Sequence, residues 1–270
     1  MLLIVCLLVL CGCGATKPDT GDVTGSDQPQ TDTQTDTQTD TQTPEPTPVP
    51  EKVTVYLLEK DAMFDSGEIC YIYDENYNID SCKATTMENE IRYNGYFEEK
   101  DANGMAAQYR IQWPDGENGD IRLLSYFADG KLKEDLVEGS NFTGFQYEYD
   151  RKGDRTEKRE YYEGILETVT YYEYDGETLS AVYAETKEGD KVFECRIQDG
   201  LITEKICYEA DGSSYSYLYA YDTNGNLIQT SFVFEGETLP CDIYTYKAVE
   251  VDADRAYYLQ AQQAYLLDIV

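Results

Sequence analysis

Tyr219-Ala220-Tyr221-Asp222-Thr223-Asn224-Gly225-Asn226-Leu227 reads as the end of one strand, a tight turn and the start of the next. Side chains two residues apart share a face of an extended chain. Asp and Asn fold their side chains back onto turn backbone, and glycine takes the positive φ that such a turn requires. Upstream, Tyr215-Ser216-Tyr217-Leu218 continues the alternation and sets Tyr215, Tyr217, Tyr219 and Tyr221 on one face. Working outward, turn glycines recur at 130, 153, 164, 176, 189, 200, 212, 225 and 236, and after the first step they are 11 to 13 residues apart. That pitch is one short strand plus one turn. Pro114 and Pro240 are the only prolines after residue 50, and they bracket the run without interrupting its ladders. Aspartates at 150, 175, 199 and 222 mark every second turn at separations of 25, 24 and 23, so the unit is a two-strand repeat. Residues 51–248 are therefore expected to form an all-β domain, an antiparallel meander of short hairpin repeats.

The two flanks differ from this pattern. At 249–270, Asp252 to Leu267 contains no glycine or proline, is rich in helix formers and starts with an Asp able to cap a first turn. A C-terminal α-helix is expected there, packed on the sheet through Tyr258, Leu259, Tyr265 and Leu266. Residues 2–10, LLIVCLLVL, form an apolar run too short to span a bilayer, as in a signal peptide covering 1–12. Residues 14–50 lack aromatics, repeat Thr-Asp-Thr-Gln from Thr31 to Gln42 and end in Pro-rich sequence. Nothing there can bury a core, so 13–50 reads as a disordered tether.

Leu10-Cys11-Gly12-Cys13 resembles the lipobox of bacterial lipoproteins: an aliphatic residue, a small residue, then cysteine. The resemblance implies cleavage after Gly12, a diacylglycerol on Cys13 and an extracytoplasmic location anchored to the cell membrane. Cys11 and the lack of Lys or Arg before the apolar run depart from the pattern. Within the folded part, Tyr221-Asp222 with Gly225-Asn226-Leu227 resembles the YD-repeat (RHS-like) sequences of bacterial surface proteins. Tyr73-Asp74-Glu75-Asn76-Tyr77-Asn78-Ile79 matches with Tyr77 where glycine is expected, and the copies at 150 and 175 are partial. This second resemblance implies a meander of hairpins and no catalytic residues, because the repeat is a structural unit.

Composition removes several classes of function. The chain of 270 residues has no histidine, which excludes imidazole bases, Ser-His-Asp triads and His-ligated metals. A net charge of −32 repels nucleic acid backbones and anionic lipid surfaces, and favours a glycan or a cationic surface as partner. No cofactor is indicated.

Four sets of residues carry the candidate chemistry. The tyrosine row at 215–221, joined by Phe145, Tyr147 and Tyr149, would serve as an aromatic platform for sugar rings if open, or as packed core if covered; core is the commoner fate of such stripes. Asp74, Asn76, Asn78 and Asp80 alternate like the first ligands of a calcium loop, as do Asp222, Asn224 and Asn226. The rest of that loop is missing: Ile79 stands where glycine is needed and Thr85 where the bidentate Glu should be, so ordinary turn work is expected and no metal. Cys70 and Cys82 flank the turn at Asn76 symmetrically, placing them for a hairpin disulfide; Cys195 and Cys207 have the same spacing about an off-centre turn. Carboxylates are so abundant that a glycosidase-like pair carries little weight. The sequence thus reads as a noncatalytic binding or scaffolding module, with a polysaccharide-active enzyme or transport accessory, or a plain spacer, as the alternatives.

Overall fold

The computed structural model describes residues 51–269; the apolar run, Cys13 and the tether lie outside the described residues. Sixteen strands and one helix follow in order: β1 (Lys52–Met63), β2 (Gly67–Tyr73), β3 (Ile79–Thr85), β4 (Ile91–Lys100), β5 (Ala106–Gln112), β6 (Asn118–Tyr126), β7 (Leu132–Val137), β8 (Gly144–Tyr149), β9 (Arg155–Tyr162), β10 (Ile165–Asp175), β11 (Thr178–Thr186), β12 (Lys191–Gln198), β13 (Leu201–Tyr208), β14 (Ser214–Tyr221), β15 (Leu227–Phe234), β16 (Glu237–Asp252) and α1 (Ala253–Ile269). Each strand pairs antiparallel with the next, and β1 pairs with β16, so the expected meander closes into a barrel. Closure leaves no sheet edge to protect. β16 runs on through Asp252, a few residues past the boundary read from the sequence, before α1 begins.

The turns that follow even-numbered strands all lie at one rim, here the lower rim, with Lys52 and α1; the other turns form the upper rim. Among the described residues, four of the seven lower-rim turns carry the Tyr-Asp phrase, at 73–74, 149–150, 174–175 and 221–222. At 222–226, Asp222 Oδ1 accepts from the backbone N–H groups of Asn224 and Asn226, at 2.8 and 2.9 Å, and Gly225 takes φ +81°. At 74–78 Asp74 Oδ1 accepts from Asn76 and Asn78, both at 2.9 Å, while Tyr77 takes the glycine's place at φ +63°. Tyrosines on five even-numbered strands have a common job. Tyr73, Tyr126, Tyr174, Tyr221 and Tyr246 donate their hydroxyls to the carbonyls of Leu58, Ala106, Arg155, Ile202 and Leu227, at 2.7 to 3.1 Å. Each such bond ties an even strand to a carbonyl on the odd strand before it. The repeat is thus a hydrogen-bonding device as well as a spacing.

Alternation decides inside from outside. Leu58, Ile69, Phe97, Tyr109, Leu124, Tyr147, Tyr172, Val182, Phe193, Tyr217 and Tyr244 belong to one buried cluster facing inward. Cross-strand ion pairs lie on the outside at Arg110 with Glu98 (2.6 Å), Arg196 with Glu204 (2.7 Å) and Lys60 with Glu68 (3.1 Å), whereas Arg122 with Asp135, also at 2.6 Å, is on the inner face. Apolar side chains, among them Ile72, Leu218, Ile228 and Ile243, share the outer wall with the first three pairs. Among the described residues, no helix is long and apolar enough to cross a membrane.

α1 lies at the lower rim. Ala256 and Leu259 form a second cluster with Val55, Leu57, Val249 and Val251, while Tyr265, Leu266 and Leu267 join the barrel cluster. Its polar side chains bind rim backbone: Gln262 Oε1 accepts from Ile79 N at 3.0 Å, Gln262 Nε2 donates to the Gly104 carbonyl at 3.1 Å, and Arg255 donates to the carbonyls of Asn103 and Asn76. Leu259, Tyr265 and Leu266 are buried as their spacing predicts, and the helix is anchored by glutamines that no apolar stripe would reveal.

Candidate functional site

As it is between β11 and β12, the wall is thinly paired between β7 and β8. Their ladder has three residue pairs, Glu134 with Gln146, Asp135 with Phe145 and Leu136 with Gly144. On either side the ladders run further, from Arg122–Val137 to Tyr126–Leu132 and from Gly144–Tyr161 to Tyr149–Arg155. Gly144 explains the closed end: a Cβ there would sit 2.1 Å from the Asp135 carbonyl oxygen, so only glycine allows this approach at φ +144°. Towards the lower rim the strands part. A hollow of about 390 Å³ opens there, lined by Phe127, Lys133, Glu134, Gln146, Tyr147, Glu148 and Tyr149.

The hollow combines aromatic faces with polar groups already oriented. Phe127, from the turn after β6, is 40% exposed and meets Tyr149 edge to face with ring centroids 5.9 Å apart. Lys131 Nζ sits 5.6 Å from the Tyr149 ring centre. Glu134 accepts from Ser125 Oγ at 3.1 Å and from Gln146 Nε2 at 3.0 Å, and Glu148 from Arg159 at 2.5 Å. Held in this way, the carboxylates and amide present fixed acceptors and donors to a ligand lying on the rings.

Of the residues picked out by sequence, Tyr149 and Tyr147 line this hollow, Tyr147 while 3% exposed in the barrel core, and Phe145 packs against that core beside it, with Lys158 Nζ 4.4 Å from its ring centre. The row at Tyr215, Tyr217, Tyr219 and Tyr221 is not an open platform. All four do share a face, but it is the inner one, where Tyr217 and Tyr219 are 3% and 6% exposed and Phe232 packs on Tyr215 and Tyr217. Barrel closure covers a face that would be open on a flat sheet.

The Asp/Asn turns use their oxygens internally. Asp74 Oδ2 accepts from Asn78 Nδ2 and Asp222 Oδ2 from Asn226 Nδ2, both at 2.9 Å, in addition to the backbone donors on Oδ1. These donors and Lys100 hold the Asp74 carboxyl below its ordinary range despite partial burial, which works the other way. Asp80 lies beyond the turn on β3, facing Lys100 at 3.4 Å. Carboxylate oxygens aimed at N–H groups are not poised for a metal.

The Cys70–Cys82 bridge is also excluded by facing. In the β2–β3 register Cys70 is opposite Lys83 and Cys82 is opposite Tyr71, so one thiol is outward beside Glu68 and the other inward, 3.7 Å from the Tyr109 hydroxyl. Symmetry about a turn does not ensure a shared face when a bulge at Ile72/Tyr73 shifts the register. Cys195 and Cys207 do share the inner face, as diagonal neighbours on β12 and β13, and are free thiols. The opening between β7 and β8 itself had no sequence signal except Gly144, which lies outside the regular glycine series.

No family model matches the chain, and no curated protein matches it. Among solved structures, a porin-like protein from Bacteroides uniformis ATCC 8492 is similar at TM-score 0.43 and 12% identity, with 75% of this chain and 99% of that chain covered. TcdB2-TccC3 is similar at TM-score 0.27 and 10% identity, with 69% of this chain and 16% of that chain covered. TcdB2-TccC3-TEV is similar at TM-score 0.24 and 12% identity, with 76% and 16% covered.

Proposed function

We propose that this protein is a lipid-anchored, extracytoplasmic YD-repeat barrel that works as a noncatalytic binding module, with saccharide chains as ligand and the β7–β8 opening as the site. The observation that carries the reading is the hollow itself, where Phe127 and Tyr149 supply apolar ring faces beside Lys133, Gln146, Glu134 and Glu148. Sugar rings stack on aromatic faces while their hydroxyls need donors and acceptors at the edge. A binding role suits the carboxylates, since Glu134 and Glu148 are engaged by Ser125, Gln146 and Arg159. The acidic outer wall favours neutral or amino-bearing saccharides over acidic ones. Membrane anchoring rests on the lipobox-like Leu10-Cys11-Gly12-Cys13.

The test is a glycan array followed by calorimetric titration of the best saccharide, with Phe127→Ala and Lys133→Ala compared with the wild type. Phe127→Ala should weaken binding at least ~10-fold, equivalent to about 1.4 kcal/mol, and thermal unfolding of the variant separates lost binding from lost packing on Tyr149. An array blank for the wild type, or binding indifferent to both changes, removes the proposal.

A further inference from the structure

Asp61 lies on the inner face of β1 with no exposure to solvent, and neither of its carboxylate oxygens has a hydrogen-bond partner. Isolated carboxylates in a protein interior are strongly disfavoured unless neutralised. In a chain that puts most of its acids in water, this one has a second acid beside it. Across the β1–β16 ladder Asp61 is opposite Tyr244 and Met63 is opposite Asp242. The two aspartates are therefore diagonal neighbours on one face, with a Cα separation of roughly 7–8 Å, a span that a single ion between the carboxylates can bridge.

Neutral oxygens surround the pair. Thr230, fully buried on β15, donates its hydroxyl to Asp242 Oδ2 at 2.7 Å. On the other side Asp61 is opposite Ile69, and the next inward residue of β2 is Tyr71, 8% exposed with its hydroxyl unpartnered. No ammonium answers the pair from β1, because Lys60 faces outward to Glu68. Every donor is oxygen, with no imidazole or thiolate among them, and that is the preference of a hard cation. The irregular spacing of carboxylates and hydroxyls suits the flexible shell of calcium better than the strict octahedron of magnesium.

We propose that Asp61 and Asp242 form a calcium site inside the barrel, with Tyr71 and Thr230 as neutral donors and water from the nearby upper rim completing the shell. The site is independent of the β7–β8 hollow and of the Asp/Asn turns. Terbium is a suitable probe because it takes calcium sites and its emission is excited through adjacent tyrosines. The full chain, stripped with chelator, should show tyrosine-sensitised terbium emission that calcium displaces. Asp61→Asn should reduce the displaceable part at least ~10-fold, and Asp222→Asn should leave it unchanged. Millimolar calcium should raise the melting temperature of the wild type by about 5 °C and that of Asp61→Asn by far less. Equal emission from wild type and Asp61→Asn overturns the proposal, as does a magnesium shift equal to that of calcium, which would be screening of the acidic surface. If Asp61→Asn does not fold, Tyr71→Phe takes its place: it removes one hydroxyl and should weaken calcium several-fold, and unchanged calcium affinity there overturns the proposal.

Discussion

The Gln263 side-chain Oε1 accepts a hydrogen bond from the backbone N–H of Leu58 at 2.6 Å. That N–H sits at the bulge where the β1–β16 register shifts between Leu58 and Lys60. Just before it Leu57 and Leu58, paired in regular register and so on opposite faces of β1, are both fully buried, Leu57 in the small cluster under α1 and Leu58 in the barrel. α1 thus bridges two cores by satisfying the backbone group freed between them. Gln263→Leu keeps the apolar bulk but strands a buried donor. The expected loss is about 2 kcal/mol, or about 4–8 °C in melting temperature, read by urea and thermal unfolding. An unchanged midpoint would mean that water replaces the amide.

Stability should fall between mildly acidic and mildly alkaline pH. Burial, and secondarily the charge of Asp242, push the Asp61 carboxyl up to about 8. Between the unfolded value of roughly 4 and this folded value, the native state holds one more proton than the unfolded chain. Folding free energy from this group is therefore full below pH ~4 and is lost as pH rises towards 8, at up to about 1.4 kcal/mol per unit. Asp74, Asp150 and Asp222 are lowered against opposing desolvation by the donors in their turns and act in the other direction, losing their contribution only as the solution becomes strongly acidic. Chelator-treated wild type should lose urea stability from pH 5 to pH 8, and Asp61→Asn should flatten that slope.

The inward tyrosines should behave as core. Tyr217→Ala or Tyr219→Ala is expected to cost about 3–5 kcal/mol, since each removes a ring from a closed interior. Near-native stability of either variant would contradict the packing described for this face.

The hydroxyl ladder predicts a smaller, specific effect. Tyr126→Phe keeps the ring and removes the bond to the Ala106 carbonyl, 2.8 Å away, for a loss of about 1–2 kcal/mol. Tyr162→Phe, on a side chain 60% exposed, is the control and should change nothing measurable in the same denaturation experiment.

Thiol labelling separates the two faces of β2 and β3. Cys70, partly exposed, should react in the native state, whereas Cys82, buried and with its thiol pushed up to about 11 by burial, should react only on unfolding. Reductant should leave the melting temperature unchanged, because the two sulfurs face opposite sides of the sheet.

Strand, turn and repeat were legible in the sequence because they are short-range. Asp222 with Gly225 can form its turn from five residues, alternation through Tyr215–Tyr221 assigns those side chains to one face, and the Asp252–Leu267 stretch lacks any helix breaker. Which face is inside is a different kind of fact. It follows from β1 pairing with β16 across almost the whole folded chain, a closure that covers Tyr217 and leaves Asp61 dry. One-residue bulges, such as that at Leu58/Lys60, reset facing without a clear mark in composition. The β7–β8 opening and the grip of Gln262 and Gln263 on rim backbone arise where distant segments meet, so local periodicity carries no record of them and the tertiary structure alone decides them.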